Sequence, residues 1–177
     1  ISANDHRTLP LQQSLAPSMD IMISSNFERL LFHAYRQDGD QIAALMAAAK
    51  QGHMRLSDAA LSEVRQLFSS HRCDDASMLA MIDGVYSDSG YLMDPHTAIG
   101  LDAARSCRAN AITPMITLAT AHPAKFPDAV RRAGYPEDPK LPAHMADLFE
   151  RAERFNVLDN DRAVVEHFMS QHIGVGS

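Results

Sequence analysis

The sequence predicts an α/β protein that is predominantly helical and has a few short buried strands. Apolar residues recur at helical spacing through residues 25–90, as they do on the buried faces of amphipathic helices. By contrast, residues 111–119 (AITPMITLA) are apolar at both odd and even positions, which is typical of a short strand covered on two faces. With 177 residues, 46% of them hydrophobic, the chain is long enough to bury a sizeable core.

Four helices are predicted between residues 25 and 90, and three of them start at a residue suited to capping, whereas the second, over 40–51, is predicted from apolar spacing alone. Ser25 and Glu28 have the spacing of a capping box, in which each side chain bonds an unpaired amide of the first turn. Serine and aspartate side chains cap helices in the same way, and helices commonly end at glycine. The predicted helices start at Ser25, residue 40, Ser57 and Asp74 or Asp75, and the last of them ends before Gly90.

Prolines and apolar groups mark the elements of the second half. Asp94 followed by Pro95 predicts a helix to about residue 110, because proline at the first helical position loses only an amide that would be unpaired anyway. The strand of residues 111–119 follows, with Pro114 near its start or beside a sheet edge. The remaining predictions are a helix over 123–133, a helix containing Met145, Leu148, Phe149 and Ala152, a strand over 155–158, and a helix containing Val164, Val165 and Phe168.

Charge and hydropathy exclude several classes of partner. The net charge is −6, and Lys and Arg are not clustered, which argues against binding to nucleic acid or to an anionic membrane. The longest apolar run, residues 43–49, is far shorter than the ~20 residues that span a bilayer. No basic segment followed by an apolar one opens the chain, so we expect a soluble, cytoplasmic protein.

The cysteine and histidine patterns predict neither a disulfide framework nor a metal site. Cys73 and Cys107 are far apart and form no CxxC motif, so free buried thiols are expected. Nine histidines are present, but no HExxH motif occurs. His167 and His172 are five residues apart and would lie on different faces of a helix.

Three segments resemble a known enzyme family. They are APSMDIMISSNFERLLF at residues 16–32, DPHTAIG at 94–100 and TLATAHPAKF at 117–126. In order and approximate spacing they are similar to the C-terminal part of threonine synthase, which depends on pyridoxal 5'-phosphate (PLP). The resemblance covers nearly all of residues 14–177 but well under half of a whole threonine synthase.

The resemblance implies a fold and a reaction. The fold is that of the tryptophan-synthase-β-like, fold type II PLP enzymes, with residues 1–177 forming a single segment of a larger enzyme. Within it, residues 14–110 would be mostly helical, and residues 111–177 would supply strand and helix elements that complete the cofactor domain. The implied reaction, part of threonine biosynthesis, converts O-phospho-L-homoserine and water to L-threonine and phosphate.

Parts of the family's machinery have no counterpart in this sequence. The family's cofactor-linking lysine lies in an N-terminal region, and neither Lys50, Lys125 nor Lys140 lies in a similar context. The loop that binds the cofactor phosphate is also missing. We therefore assign no catalytic residue to this chain, expect it to be inactive alone, and expect the N-terminal part of the same enzyme as its partner.

Thr120 is the predicted cofactor contact. It directly follows the strand of residues 111–119, and ligands of open α/β sheets bind at the carboxyl ends of strands. The resemblance implies that its hydroxyl bonds the pyridine nitrogen of PLP. The alternative is a threonine at a strand end that bonds the nearby backbone.

Other polar residues are possible neighbours of the active site. Asp94 is explained by helix capping, which leaves His96 as the candidate in the DPHTAIG segment. Ser24 and Asn26, in the first of the three similar segments, are further candidates that would face the substrate.

His122 and Lys125 belong to the same group of candidates. His122 precedes a proline, which favours an extended turn, and a structural hydrogen bond is the alternative to an active-site role. Lys125 would lie in the first turn of the next helix, where a cation is unfavourable unless an anion lies close by. The phosphate ester of the substrate would be such an anion, and a solvated lysine is the alternative.

Two other functional classes remain open on sequence grounds. One is a non-catalytic helical binding or scaffolding module derived from such an enzyme. The other is a generic helical interaction domain, for which the TLATAHPAKF resemblance would be accidental. A longer parent chain with a suitably placed lysine would favour the enzyme.

Overall fold

The computed structural model describes residues 3–7, 9–22 and 24–173 and divides into two compact units, Ile1–Lys140 and Leu141–Ser177. Helices and short 3-10 turns account for the regular structure of the described residues. The α-helices are α1 (Ser25–Ala34), α2 (Gly39–Lys50), α3 (Asp58–Leu67), α4 (Asp75–Ser89), α5 (Pro95–Cys107), α6 (Pro127–Arg132) and, in the second unit, α7 (Arg162–His172).

Most of the predicted helix boundaries are confirmed, because side-chain caps determine them locally. Ser57 Oγ accepts from the Ala60 amide at 3.3 Å and starts α3. Asp74 starts α4 in the same way, through the Ser77 amide at 2.9 Å. Gly90 ends α4 in the left-handed conformation, with φ of 71°, which glycine adopts without steric cost.

The predicted capping box of α1 is wrong. Ser25 is the first helical residue, and Ser24 is the N-cap, with an extended backbone and no side-chain capping bond. The S-x-x-E spacing therefore lies one residue too far into the helix for Ser25 to bond the amides of the first turn.

Two apolar clusters form the main core of the first unit. Met78 and Ile82 of α4 pack with Met93 and with Ala98 of α5. A second cluster joins α1, α2 and α3 through Leu31, Ile42, Leu56 and Leu61. Leu31, Ile42, Leu61, Met78 and Ile82 were predicted from helical spacing to lie on apolar helix faces, and all five are buried.

The predicted strand at residues 111–119 is wrong: it is irregular, and no strand occurs in the described residues. Ile112, Ile116 and Leu118 are 94%, 82% and 74% exposed. A strand requires a neighbouring strand to bond its backbone amides and carbonyls. The segment thus has the apolar pattern of a buried strand, but the described residues contain no strand that could pair with it.

The downstream helix predictions are only partly right. The helix predicted over 123–133 is divided into a 3-10 turn, Pro123–Lys125, and α6, because the proline at 127 restarts the helix. In the second unit, the predicted helix around residues 145–152 is two 3-10 turns, Ala143–Met145 and Leu148–Glu150. The predicted strand at 155–158 does not form, and the last predicted helix is α7.

Both cysteines are free, as expected. They are half-buried and not buried as predicted. Burial and the nearby Asp102 carboxylate raise the pKa of the Cys73 thiol to about 12.

The described residues contain no group of three or more side chains arranged to hold a metal ion. Among these same residues, none of the helices is both long and apolar enough to span a membrane.

Candidate active site

An open cleft lies between α5 and the segment that follows it. It is lined on one side by His96, Gly100 and Cys107 and on the other by residues 115–118 and Thr120. Its volume of about 420 Å³ is in the range typical of small-molecule sites. Of the predicted site residues, Thr120 and His96 line this cleft together.

The two walls of the cleft lie close together at Gly100. A Cβ atom at position 100 would lie 3.4 Å from Thr117 Cγ2, which is ordinary van der Waals contact. The irregular segment thus packs against α5 near Thr117.

A hydrogen bond from the backbone of Thr120 fastens the segment to α5. The Thr120 amide donates to Thr97 Oγ1 at 3.1 Å. The Thr97 hydroxyl in turn donates to Asp94 Oδ2. Thr97 and Asp94 are both buried, so this connection is shielded from water.

The other oxygen of Asp94 organises the start of α5. Asp94 Oδ1 accepts from the amides of His96 at 2.9 Å and Thr97 at 3.4 Å. It also lies 3.0 Å from His96 Nδ1. The capping role predicted for Asp94 is confirmed, and the same carboxylate holds both the imidazole and the hydroxyl beside it.

The hydrogen bonds of His96 determine its tautomer. The Ser18 amide donates to His96 Nε2 at 3.2 Å, so this nitrogen is unprotonated. Nδ1 must then carry the proton, which it donates to Asp94 Oδ1. The ring also packs on Phe126, with centroids 4.6 Å apart, and its side chain is only 7% exposed. His96 thus joins the start of α5 to the turn at Ser18.

The Thr120 hydroxyl is in a different situation from its amide. Thr120 is exposed at the cleft, and within the described part of the chain no side-chain hydrogen bond is found for it. The backbone of the residue is thus fixed, while its side chain, in a residue that lines the cleft, has no such bond among the described residues. Its role as the cofactor contact stays a prediction.

His122 and Lys125 lie in the turn that follows Thr120. His122 Nδ1 accepts from the Ala124 amide at 3.2 Å, so the ring caps the 3-10 turn. Lys125 lies at the end of that turn, not in the first turn of an α-helix as predicted, and its Nζ is 5.8 Å from the centre of the Phe126 ring. Lys125 lines a separate cleft together with Ser14 and Asp128.

Ser24 and Asn26 are not brought to the Thr120 cleft. Ser24 lines another cleft with His6, Arg7 and Glu28, at the start of α1. Asn26 is exposed in the first turn of that helix. Their predicted contact with the substrate has no support from the geometry of this chain.

The sequence did not reveal two features of the cleft. Thr97 links Asp94 to Thr120, but its partner is 23 residues away and no local pattern predicts that contact. His71 also lines the cleft, and its Nε2 lies 2.9 Å from Asp102 Oδ2 on α5. For the link through Thr97, the sequence offered one signal, which is the spacing of Asp94 and Thr97 expected at a helix cap.

Comparisons with known proteins agree on one family. The family model described as threonine synthase, C-terminal, matches residues 97–169. A threonine synthase from Pseudomonas aeruginosa is 51% identical over 173 residues, which cover 97% of this chain and 37% of the relative. The chain therefore spans little more than a third of that relative's length.

Solved structures give the same result at the level of the fold. The crystal structure of PLP-bound threonine synthase from Brucella melitensis superposes with a TM-score of 0.78 at 45% identity, over 97% of this chain and 37% of that one. Threonine synthase from yeast superposes with a TM-score of 0.71 at 27% identity, over 96% of this chain and 38% of that one. The chain belongs to the threonine synthase family, and its described structure is a C-terminal portion of that fold.

Proposed function

We propose that this chain is the C-terminal part of a PLP-dependent threonine synthase that converts O-phospho-L-homoserine and water to L-threonine and phosphate. The observation that carries the proposal is Thr120, which lines the cleft and whose backbone amide is bonded to buried Thr97. The match of nearly the whole chain to threonine synthases supports the same assignment.

The cleft residues fit one contact to PLP. Thr120 has a side-chain oxygen without a bond within the described chain, on a backbone tied to α5, and this suits a hydroxyl that meets the pyridine nitrogen. A hydroxyl does not hold that nitrogen protonated as a carboxylate would. When bound, the cofactor supplies the electron sink for the reaction, and a neutral partner makes that sink a mild one.

The chain's own residues would orient the ring. Met115, Ile116 and Leu118 place apolar side chains beside Thr120, and in this chain Ile116 and Leu118 are 82% and 74% exposed. Once the cofactor and the rest of the enzyme cover them, these side chains would lower the local dielectric and strengthen the polar contact at Thr120. His96 lines the opposite side of the cleft, where its bonds to Asp94 and Ser18 hold the ring in place.

The proposal predicts activity in the complete enzyme and a cofactor-linking lysine elsewhere in it. We expect the purified complete enzyme, supplied with PLP, to form threonine and phosphate in equal amounts from O-phospho-L-homoserine. Borohydride reduction and peptide mapping should label a lysine other than Lys50, Lys125 and Lys140, whose contexts do not match the family's attachment segment. A non-catalytic module would release no threonine, and stoichiometric labelling of one of these three lysines would contradict the assignment.

The exposed apolar residues predict association with the rest of the enzyme. Phe149 and Val157 in the second unit are each 85% exposed, and the segment containing Ile112 and Ile116 is exposed in the first. Exposed apolar patches of more than a few hundred Å² are unusual in soluble monomers. We therefore expect the isolated 177-residue chain to self-associate or to bind the N-terminal part of threonine synthase in sedimentation experiments. A monomer that persists on dilution and binds no hydrophobic dye would count against this expectation.

The expected location in the cytoplasm stays a prediction, which fractionation of cells that produce the complete enzyme would test.

A further inference from the structure

We propose that Thr97 is a positioning residue that, oriented by Asp94, fixes the backbone of Thr120 and thereby the direction of the Thr120 hydroxyl. The inference rests on the proposed function, because it assumes that this hydroxyl meets the cofactor. It adds a residue that touches neither cofactor nor substrate and acts through a second threonine.

The direction of the hydrogen bonds is set by the chemistry of the three groups. A hydroxyl has one proton to donate and two lone pairs to accept with. Thr97 accepts from the Thr120 amide at 3.1 Å, so its proton is free to go to Asp94 Oδ2, which is its other partner. Asp94 cannot turn away, because its second oxygen is held by the two amides at the start of α5 and by His96 Nδ1.

Burial makes this chain of bonds stiff. Asp94 is 1% exposed and Thr97 is 5% exposed, so water does not compete for either side chain. Both residues stand at the start of α5, a 13-residue helix, and sites held by regular elements are more rigid than sites held by loops alone. Thr120, by contrast, follows an irregular segment whose apolar side chains are exposed.

The geometry around Gly100 restricts the segment further. Gly100 lies close to Thr117, three residues before Thr120, so the segment packs against α5 at that point. Close packing at Thr117 and the amide bond at Thr120 give the segment two points of attachment to the same helix. Loss of the hydrogen bond at the Thr120 amide would leave the Thr120 side chain free to move away from the pyridine nitrogen of PLP.

The test compares two substitutions in the complete enzyme. Thr97→Val keeps the branched shape and removes the hydroxyl, whereas Thr97→Ser keeps the hydroxyl. We expect Thr97→Val to weaken PLP binding about ten-fold, measured by cofactor fluorescence, and Thr97→Ser to stay within about two-fold of wild type, since one hydrogen bond to a buried group has about this effect. Equal PLP affinity in Thr97→Val and wild type would overturn the inference.

A double variant separates positioning from a general loss of stability. If Thr97 acts through the Thr120 hydroxyl, Thr97→Val should weaken PLP binding no further in a Thr120→Val background. If the fold-changes in PLP affinity of the two single variants multiplied in the double variant, Thr97 would have a merely structural role. If Thr97→Val does not fold, Thr97→Ala replaces it, because it also removes the hydroxyl that accepts from the Thr120 amide. Wild-type PLP affinity in folded Thr97→Ala would then overturn the inference.

The same set of variants distinguishes this inference from the proposed function. Weakened binding in Thr120→Val with wild-type binding in Thr97→Val would remove the positioning role and leave the function intact. Wild-type binding in Thr120→Val would instead contradict the cofactor contact on which both depend.

Discussion

Replacing Asp94 with alanine is expected to lower the free energy of unfolding by roughly 3 kcal/mol. The buried carboxylate accepts four hydrogen bonds, from two amides, a ring nitrogen and the Thr97 hydroxyl. Loss of the cap alone costs about 1 kcal/mol. The unpaired His96 nitrogen and Thr97 hydroxyl add the cost of buried polar groups without partners, about 1–3 kcal/mol each before relaxation.

Thermal unfolding of the complete enzyme, followed by circular dichroism or calorimetry, checks this expectation. Asp74→Ala is a matched control, because Asp74 caps α4 through one amide bond on an exposed surface, and it should cost only about 1 kcal/mol. Asp94→Asn should also cost about 1 kcal/mol, since its amide oxygen still caps α5. If Asp94→Ala were no more destabilising than Asp74→Ala, the network around Asp94 would be energetically unimportant.

The elements that the sequence predicted well are those whose causes are local. Ser57, Asp74 and Asp94 each bond amides two or three residues away, so a short stretch of sequence contains both partners. The stop at Gly90 is equally local, because it depends on the conformation of one residue. The apolar faces of α1 to α5 follow from helical periodicity, which also spans only a few residues.

The failures concern structure that depends on distant partners. The apolar pattern of residues 111–119 was read as a strand, but in the described residues no strand pairs with it. The apolar pattern predicts that this segment is buried, but it does not identify the element that covers it. The same reasoning applies to residues 155–158, where Phe155 and Val157 are exposed.

The candidate site was predictable only in part for a similar reason. Resemblance and position at the end of a segment pointed to Thr120, and a polar group at a helix start pointed to His96. That the two line one cleft, and that Thr97 links Thr120 to Asp94, depends on contacts between residues far apart in the sequence, such as the 23-residue contact of Thr97 with Thr120. Ser24 and Asn26 were chosen as polar residues at a helix start, and neither is among the residues that line the cleft with Thr120.

Replacing Thr120 with valine in the complete enzyme is expected to weaken PLP binding and to lower turnover about ten-fold or more. Valine keeps the branched shape at the cleft but removes the one group proposed to meet the pyridine nitrogen. A polar atom that loses its partner where a bound ligand shields it from water costs about 1–3 kcal/mol. Part of that cost should appear in the transition states, where about 1.4 kcal/mol corresponds to one decade in rate. The backbone bond from the Thr120 amide to Thr97 does not involve the replaced atoms, so the fold should be retained.

The PLP affinity of Thr120→Val, compared with wild type and with Thr113→Val, tests the central claim most directly. Thr113→Val makes the same chemical change in the same segment but outside the residues that line the cleft. The account predicts a lower affinity and a changed cofactor absorbance in Thr120→Val alone, with all three proteins folded and Thr113→Val like wild type. Wild-type PLP affinity and turnover in a folded Thr120→Val would contradict it and would leave Thr120 with a structural role only.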